Sequence, residues 1–213
     1  MRPVLLAILA ALTGCGRPGG AAPPSPEARG GVPAASPAPA AAPAWLPDAG
    51  AELIGTPARD FAGLTDWLNS PPLALADLRG RVALVRFWTS GCSLCTVSAP
   101  VLNDLDRRFR ERGLVVIGVH HPKTRDGRDP ARMRAAAERL GFAFPVAQDL
   151  GWDTVKAWWL DGNDRAYTSS AFLVDRDGMI RWVHPGGELL AGPGPEGDAC
   201  RALESAIEAA LGE

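Results

Sequence analysis

The chain has 213 residues, 46% hydrophobic and 22% charged, with 22 basic against 24 acidic side chains and a net charge of −2. No basic cluster interrupts that balance, so the composition argues against a nucleic-acid partner. No internal repeat is present, which sets aside solenoid and propeller architectures.

The N-terminus reads MRPVLLAILAALTGCG. Arg2 precedes an apolar run, residues 4–12, too short for a permanent bilayer span and suited to the core of a signal peptide. Leu12-Thr13-Gly14-Cys15 resembles the lipobox of bacterial lipoproteins, which implies a signal peptide over residues 1–14 and acylation of Cys15. Acyl chains there would anchor the protein through buried methylenes; the alternative is an ordinary secretory signal with a chance cysteine. Residues 15–44 are, after Cys15, almost entirely Ala, Pro and Gly. Such a segment buries too little apolar surface to offset its chain entropy and is expected to be a disordered tether with extended, proline-rich stretches. Residues 45–213 are enough for one domain with a proper core. With Cys15 lipidated, Cys92, Cys95 and Cys200 would remain in it, in an envelope space where disulfides can persist.

Within the domain, GRVALVRFW (80–88) reads as a buried strand. Residues 92–112 turn helical, with Val97, Val101, Leu105 and Phe109 at i, i+4 spacing and Gly113 as the stop. LVVIGVH (114–120) is a second buried strand, so a βαβ unit with a parallel strand pair is expected. The next helix has Asp129 as N-cap, Pro130 at its first position and Gly141 after its end. FPVAQD reads as a short strand or extended segment, WDTVKAWWL as a short helix, and AFLVDRDGMIRWVH as a hairpin around Asp177-Gly178. A last helix, 199–211, is expected behind Asp198 as cap, with Leu203, Ile207 and Leu211 on one face. The order describes an α/β domain: a mixed sheet with helices on its faces.

A Cys-x-x-Cys at the mouth of a helix after a central strand, then βαβ and ββα, is the thioredoxin plan. WLNSPPLALADLRGRVALVRFWTSGCSLC and RGLVVIGVHHP resemble the thioredoxin-like domains of the TlpA and DipZ type. The resemblance runs from about Trp67 to the C-terminus. It implies a thioredoxin fold and thiol-disulfide exchange on disulfide-containing envelope proteins, in some members during cytochrome c maturation. It also implies electrons drawn from a membrane thiol reductase, with no bound cofactor. Reduction is favoured over oxidation by the resemblance alone. Pro100 sits where thioredoxins carry the proline that kinks the active-site helix.

The chemistry follows from the residues as well. The thiolate is the species that attacks a disulfide, and the free N–H groups and dipole of a helix N-terminus stabilise an anion. Cys92 is therefore expected to attack and form a mixed disulfide, and Cys95, one turn on, to resolve it. Gly91 would leave room for a partner's backbone, and Trp88 would pack beside the motif. The Ser93-Leu94 dipeptide, in place of the common Gly-Pro, would influence the potential. Zinc needs two further ligands; His120, His121, His184 and Cys200 are the candidates, and none has a second ligand pair at finger-like spacing. No metal is expected. His120 and His121 read as packing or loop-capping residues, His184 as part of a turn, Trp152, Trp158 and Trp159 as core, and Cys200 as an inert buried thiol.

Three positions depart from the family pattern. Arg86 stands where thioredoxins place a buried aspartate; beside the cysteines it would favour thiolate and could push the pair oxidising, while the alternative has it facing outward to a carboxylate. Ser98 stands where many TlpA-like reductases carry a glutamate, and Ser169 where the family has its cis-proline. The loop 168–170 is then expected to run trans, since a cis bond before serine costs about 3 kcal/mol, and to present hydroxyls to the cysteines. Loss of that proline keeps two rivals open: a peroxiredoxin-like thiol peroxidase, in which Cys92 attacks peroxide and Cys95 resolves the sulfenic acid, and a Sco-like copper-binding factor.

Overall fold

A computed structural model describes residues 49–165 and 167–212; the expected signal peptide, Cys15 and the 15–44 tether lie outside the described residues. The chain enters the sheet earlier than its apolar pattern suggests. Strand β1 (Leu64–Leu68) was not expected, because LTDWL neither alternates nor stays buried: Asp66 has φ 51°, and the pairing register shifts between Thr65 and Leu68. Strands β2 (Val82–Trp88) and β3 (Leu114–His120) are buried at every position. Cover on both faces is why they read as near-continuous apolar runs, interrupted in β2 by Arg86. They pair in parallel from Val82 opposite Leu114 to Trp88 opposite His120. The crossover is helix α1 (Ser93–Phe109), which runs into a 3-10 turn and ends at Gly113, φ 106°.

Helix α2 (Pro130–Arg139) begins as read: the Asp129 carboxylate accepts the Ala131 N–H at 2.9 Å. Strand β4 (Val146–Asp149) lies parallel to β3 and antiparallel to β1. The next segment is one α-turn, α3 (Asp153–Val155), continued by a π-helical turn over Lys156–Leu160. Strands β5 (Ala171–Val174) and β6 (Ile180–His184) form the hairpin, with Gly178 at φ 78° in its turn. The sheet order β1-β4-β3-β2-β5-β6 is mixed, with six strands rather than the five expected.

Helix α4 (Pro195–Gly212) starts before Asp198, which therefore sits in the first turn rather than capping it. A carboxylate there still meets the positive helix end. Buried Leu203 and Ile207 pack α4 against the sheet face that also carries Leu84, Trp88 and Leu173 and receives Leu105 and Phe109 of α1. Val97, expected on that buried face, is 41% exposed. The buried stripe of α1 runs through Ser98, Leu102, Leu105 and Phe109, so the helical period leaves Val97 at the rim. The other sheet face packs Phe87, Ile117, Val119 and Phe172 against Trp158 and Trp159. A cleft of about 520 Å³ lies on that side, lined by Leu53, Trp158, Trp159 and Ile180 among others, and it contains neither cysteine of the motif. Among the described residues no helix is long and apolar enough to cross a membrane.

Candidate active site

Strand β2, in the interior of the sheet, ends at Trp88, and helix α1 starts five residues later, at Ser93. Gly91 makes that turn possible: its φ of 83° is left-handed, and a Cβ built on it would meet nothing within 4 Å. The space at Gly91, next to Cys92 in the chain, is open. Cys92 is the N-cap of α1, with its sulfur accepting the Cys95 N–H at 3.4 Å and its carbonyl accepting the Thr96 N–H at 3.1 Å. Its thiol is partly exposed, whereas Cys95, one turn on, is buried. Ser93 is exposed and Leu94 half-buried at the same mouth.

Burial pushes the Cys95 thiol up to about 11; the Arg86 charge and the Thr89 backbone N–H pull the other way. Arg86 faces inward, only 1% exposed, and of the two orientations open from the sequence it takes the one toward the cysteines. It fits because its cross-strand neighbours are small, Gly118 on β3 and Ala171 on β5. Its Nη2 donates to the Gly187 carbonyl at 2.9 Å, while Nε and Nη1 have no hydrogen-bond partner. Burial lowers its pKa, and the nearby Cys95 and Cys92 oppose that shift.

Two histidines brace the loops around the motif. His120 Nε2 accepts the Ser90 backbone N–H at 3.0 Å, and His121 Nε2 lies 2.8 Å from Thr168 Oγ1. The first holds the turn before Cys92 and the second holds the loop of Ser169. The His120 ring packs edge-on to the Trp88 indole, 4.8 Å between centroids. Burial drives His120 down to about 4 and His121 to about 3, so both are neutral near pH 7. His184 pairs in register with Ala171, and its Nδ1 accepts the Gly186 N–H at 3.3 Å inside the expected turn. These contacts are not legible in the sequence, because they depend on which loops meet beyond the strand ends.

The described peptide bonds are trans, the loop 168–170 included. Its hydroxyls are mostly engaged elsewhere than expected: Thr168 on His121, and Ser169 Oγ as acceptor of the Gly187 N–H at 3.3 Å. Ser170 Oγ is buried without a partner. Ser98 Oγ donates to the Leu94 carbonyl at 2.7 Å and accepts the Leu189 N–H at 2.9 Å, a structural tie in the position where the family pattern has a carboxylate. Trp158 and Trp159 are core, as read, and Trp152 is half-buried against His121. Cys200 is buried in the second turn of α4. No three His, Cys, Asp or Glu side chains gather into a metal-sized group among the described residues.

A dithiol at the N-terminus of the crossover helix of such a sheet defines a thioredoxin-fold protein of the redoxin class. The chain belongs to the AhpC/TSA family, whose model matches residues 54–183. It is 34% identical over 135 residues to protein DipZ of Mycobacterium bovis, covering 62% of this chain but only 19% of that protein. It is 27% identical to the thiol-disulfide oxidoreductase ResA of Bacillus thuringiensis, over 60% of this chain and 66% of ResA. Among solved structures, a thiol-disulfide isomerase from Corynebacterium glutamicum superposes with a TM-score of 0.58 at 26% identity, covering 73% of this chain and 97% of that one.

Proposed function

We propose that the protein is a thiol-disulfide oxidoreductase that exchanges electrons with disulfides of envelope proteins through Cys92 and Cys95. The observation that carries this reading is the pairing of a partly exposed sulfur at a helix N-cap with a buried thiol one turn later, behind an open glycine. Cys92 attacks a substrate sulfur, forming a mixed disulfide and releasing one substrate thiolate. Cys95 loses its proton and attacks Cys92 Sγ, closing the Cys92–Cys95 disulfide. The second substrate sulfur leaves and is protonated, so one disulfide is reduced for each dithiol oxidised. The names of the relatives support exchange as the activity, and reduction, with cytochrome c maturation as one setting, rests on the TlpA and DipZ resemblance.

The membrane-tethered form of this reading rests on the N-terminal sequence. Signal-peptide cleavage before Cys15, acylation of Cys15 and a proline-rich spacer would hold the domain on the extracytoplasmic side, where a membrane thiol reductase supplies electrons. Fatty-acid labelling lost in Cys15→Ala tests the anchor. For the activity, Cys92→Ser should abolish insulin reduction by the full-length protein. Retained turnover would remove Cys92 as nucleophile, and peroxide consumption without exchange would replace the reading by a thiol peroxidase.

A further inference from the structure

We infer that Arg86 is the counter-ion of Cys95, stabilising its thiolate each time that sulfur attacks or leaves, in place of a proton-relaying carboxylate. This rests on the exchange reading above. None of the ion pairs among the described residues includes Arg86. A buried guanidinium with no carboxylate carries a large desolvation penalty unless another anion meets it. The groups that respond to its charge are Cys95 and Cys92 of the motif, His184 on β6 and His121 beyond β3. Both histidines stay neutral, His184 and His121 each held at about 3, so neither supplies an anion nor competes for the site as a cation. The two sulfurs are the remaining partners, and Cys95 is the buried one.

The surroundings are arranged for an anion rather than for proton transfer. On the row across the sheet, Gly118, Arg86, Ala171 and His184 stand opposite one another, and small residues on either side of Arg86 leave the guanidinium free to reach α1. Arg86 Nε and Nη1, His184 Nε2 and, over Gly118, Trp88 Nε1 are all buried without acceptors. His184 Nδ1 accepts a backbone N–H, which leaves the proton on Nε2, so these unpartnered atoms are donors. No carboxylate stands in this row to take the Cys95 proton. In reduction the proton passes to solvent and, in the balance, to the second substrate sulfur as it leaves. In the reverse direction a substrate thiolate attacks Cys92 Sγ, the Cys92–Cys95 bond breaks, and Cys95 departs as the thiolate that Arg86 meets.

A cation at contact range lowers the pKa of an acid by about 1–3 units. Per unit, loss of the cation cuts the thiolate tenfold while nucleophilicity recovers about threefold, so attack slows about threefold. Reaction of the full-length protein with the aromatic disulfide DTNB isolates that step. The first thiolate is released as Cys92 forms the mixed disulfide and the second as Cys95 displaces it. Arg86→Met should slow the second phase by about 3- to 30-fold, and Arg86→Lys should keep it within about threefold of wild type. The pH midpoint of Cys95 alkylation, followed by peptide mass in a Cys92→Ser background, should rise by at least about one unit in Arg86→Met. Removing the arginine strands only the Gly187 carbonyl, so the variant should fold; if it does not, the Lys variant's second phase and alkylation midpoint decide, and loss of either overturns the charge account. An unchanged second phase and midpoint in folded Arg86→Met overturn the inference and leave the exchange reading standing. A second phase that survives Cys95→Ser contradicts the exchange reading itself.

Discussion

Gly91 and the two cysteines it introduces carry the most direct consequences at the scale of single residues. Cys95→Ser removes the resolving sulfur and keeps the attacking one, so it should accumulate a mixed disulfide with substrate that non-reducing electrophoresis and mass spectrometry detect. Gly91→Ala meets no clash but forces a side chain into a left-handed backbone, at about 1–2 kcal/mol. Urea unfolding should report that loss, and insulin reduction should slow while reaction with small DTNB stays near wild type. Equal slowing with both substrates would mean the glycine serves the motif's geometry and not partner approach. Of these residues, the Cys-x-x-Cys and its glycine were legible in SGCSLC, because spacing and strand-helix context carry the chemistry. The direction of Arg86 was not legible. In a strand buried on both faces, either orientation hides the side chain, and only the register with Gly118 and Ala171 shows where a guanidinium has room.

At the scale of elements, α1 depends on a tie the sequence pattern assigned differently. Ser98 joins the helix to the Leu189 backbone, so Ser98→Ala leaves a buried N–H without its acceptor and should destabilise by about 1–3 kcal/mol. Exchange per folded molecule should be unaffected; a proportionate loss of turnover would give Ser98 the chemical role of the family's glutamate. The helices with strong end signals, Asp129-Pro130 and Gly113, begin and stop as read. Two elements depart from the sequence pattern for physical reasons. β1 earns its place by pairing with β4 and not by alternation, and α4 starts at Pro195 because proline suits a first turn and Asp198 suits the turn it opens.

The whole molecule titrates through its buried histidines. His120, His121 and His184 fall from an ordinary value near 6.5 to about 4, 3 and 3, because burial disfavours the imidazolium. In the unfolded chain they bind protons below about pH 6.5; in the folded one they do not until pH 3–4. The unfolded state therefore gains protons first, and stability present above pH 6.5 is lost as pH falls through that window. The slope is about 1.4 kcal/mol per pH unit for each histidine. Urea midpoints from pH 7.5 to 4.5 should fall steeply, and His184→Asn should flatten the curve. A flat profile would mean that the histidines are charged in the native state. The fold class was legible because β2, β3 and the hairpin are patterned by burial along the chain, whereas the loop contacts of these histidines arise only when distant segments meet.

The account turns on Cys92 and Cys95 acting as one redox couple. Equilibrating the full-length protein in glutathione buffers, trapping thiols by alkylation and reading mass measures that couple directly. The account predicts a single reversible two-electron transition on the Cys92–Cys95 peptide, absent in Cys95→Ser. A potential near about −270 mV would mark a reductase and one near about −120 mV an oxidant. Two cysteines that stay as free thiols across the whole range, or that oxidise only irreversibly, would contradict it.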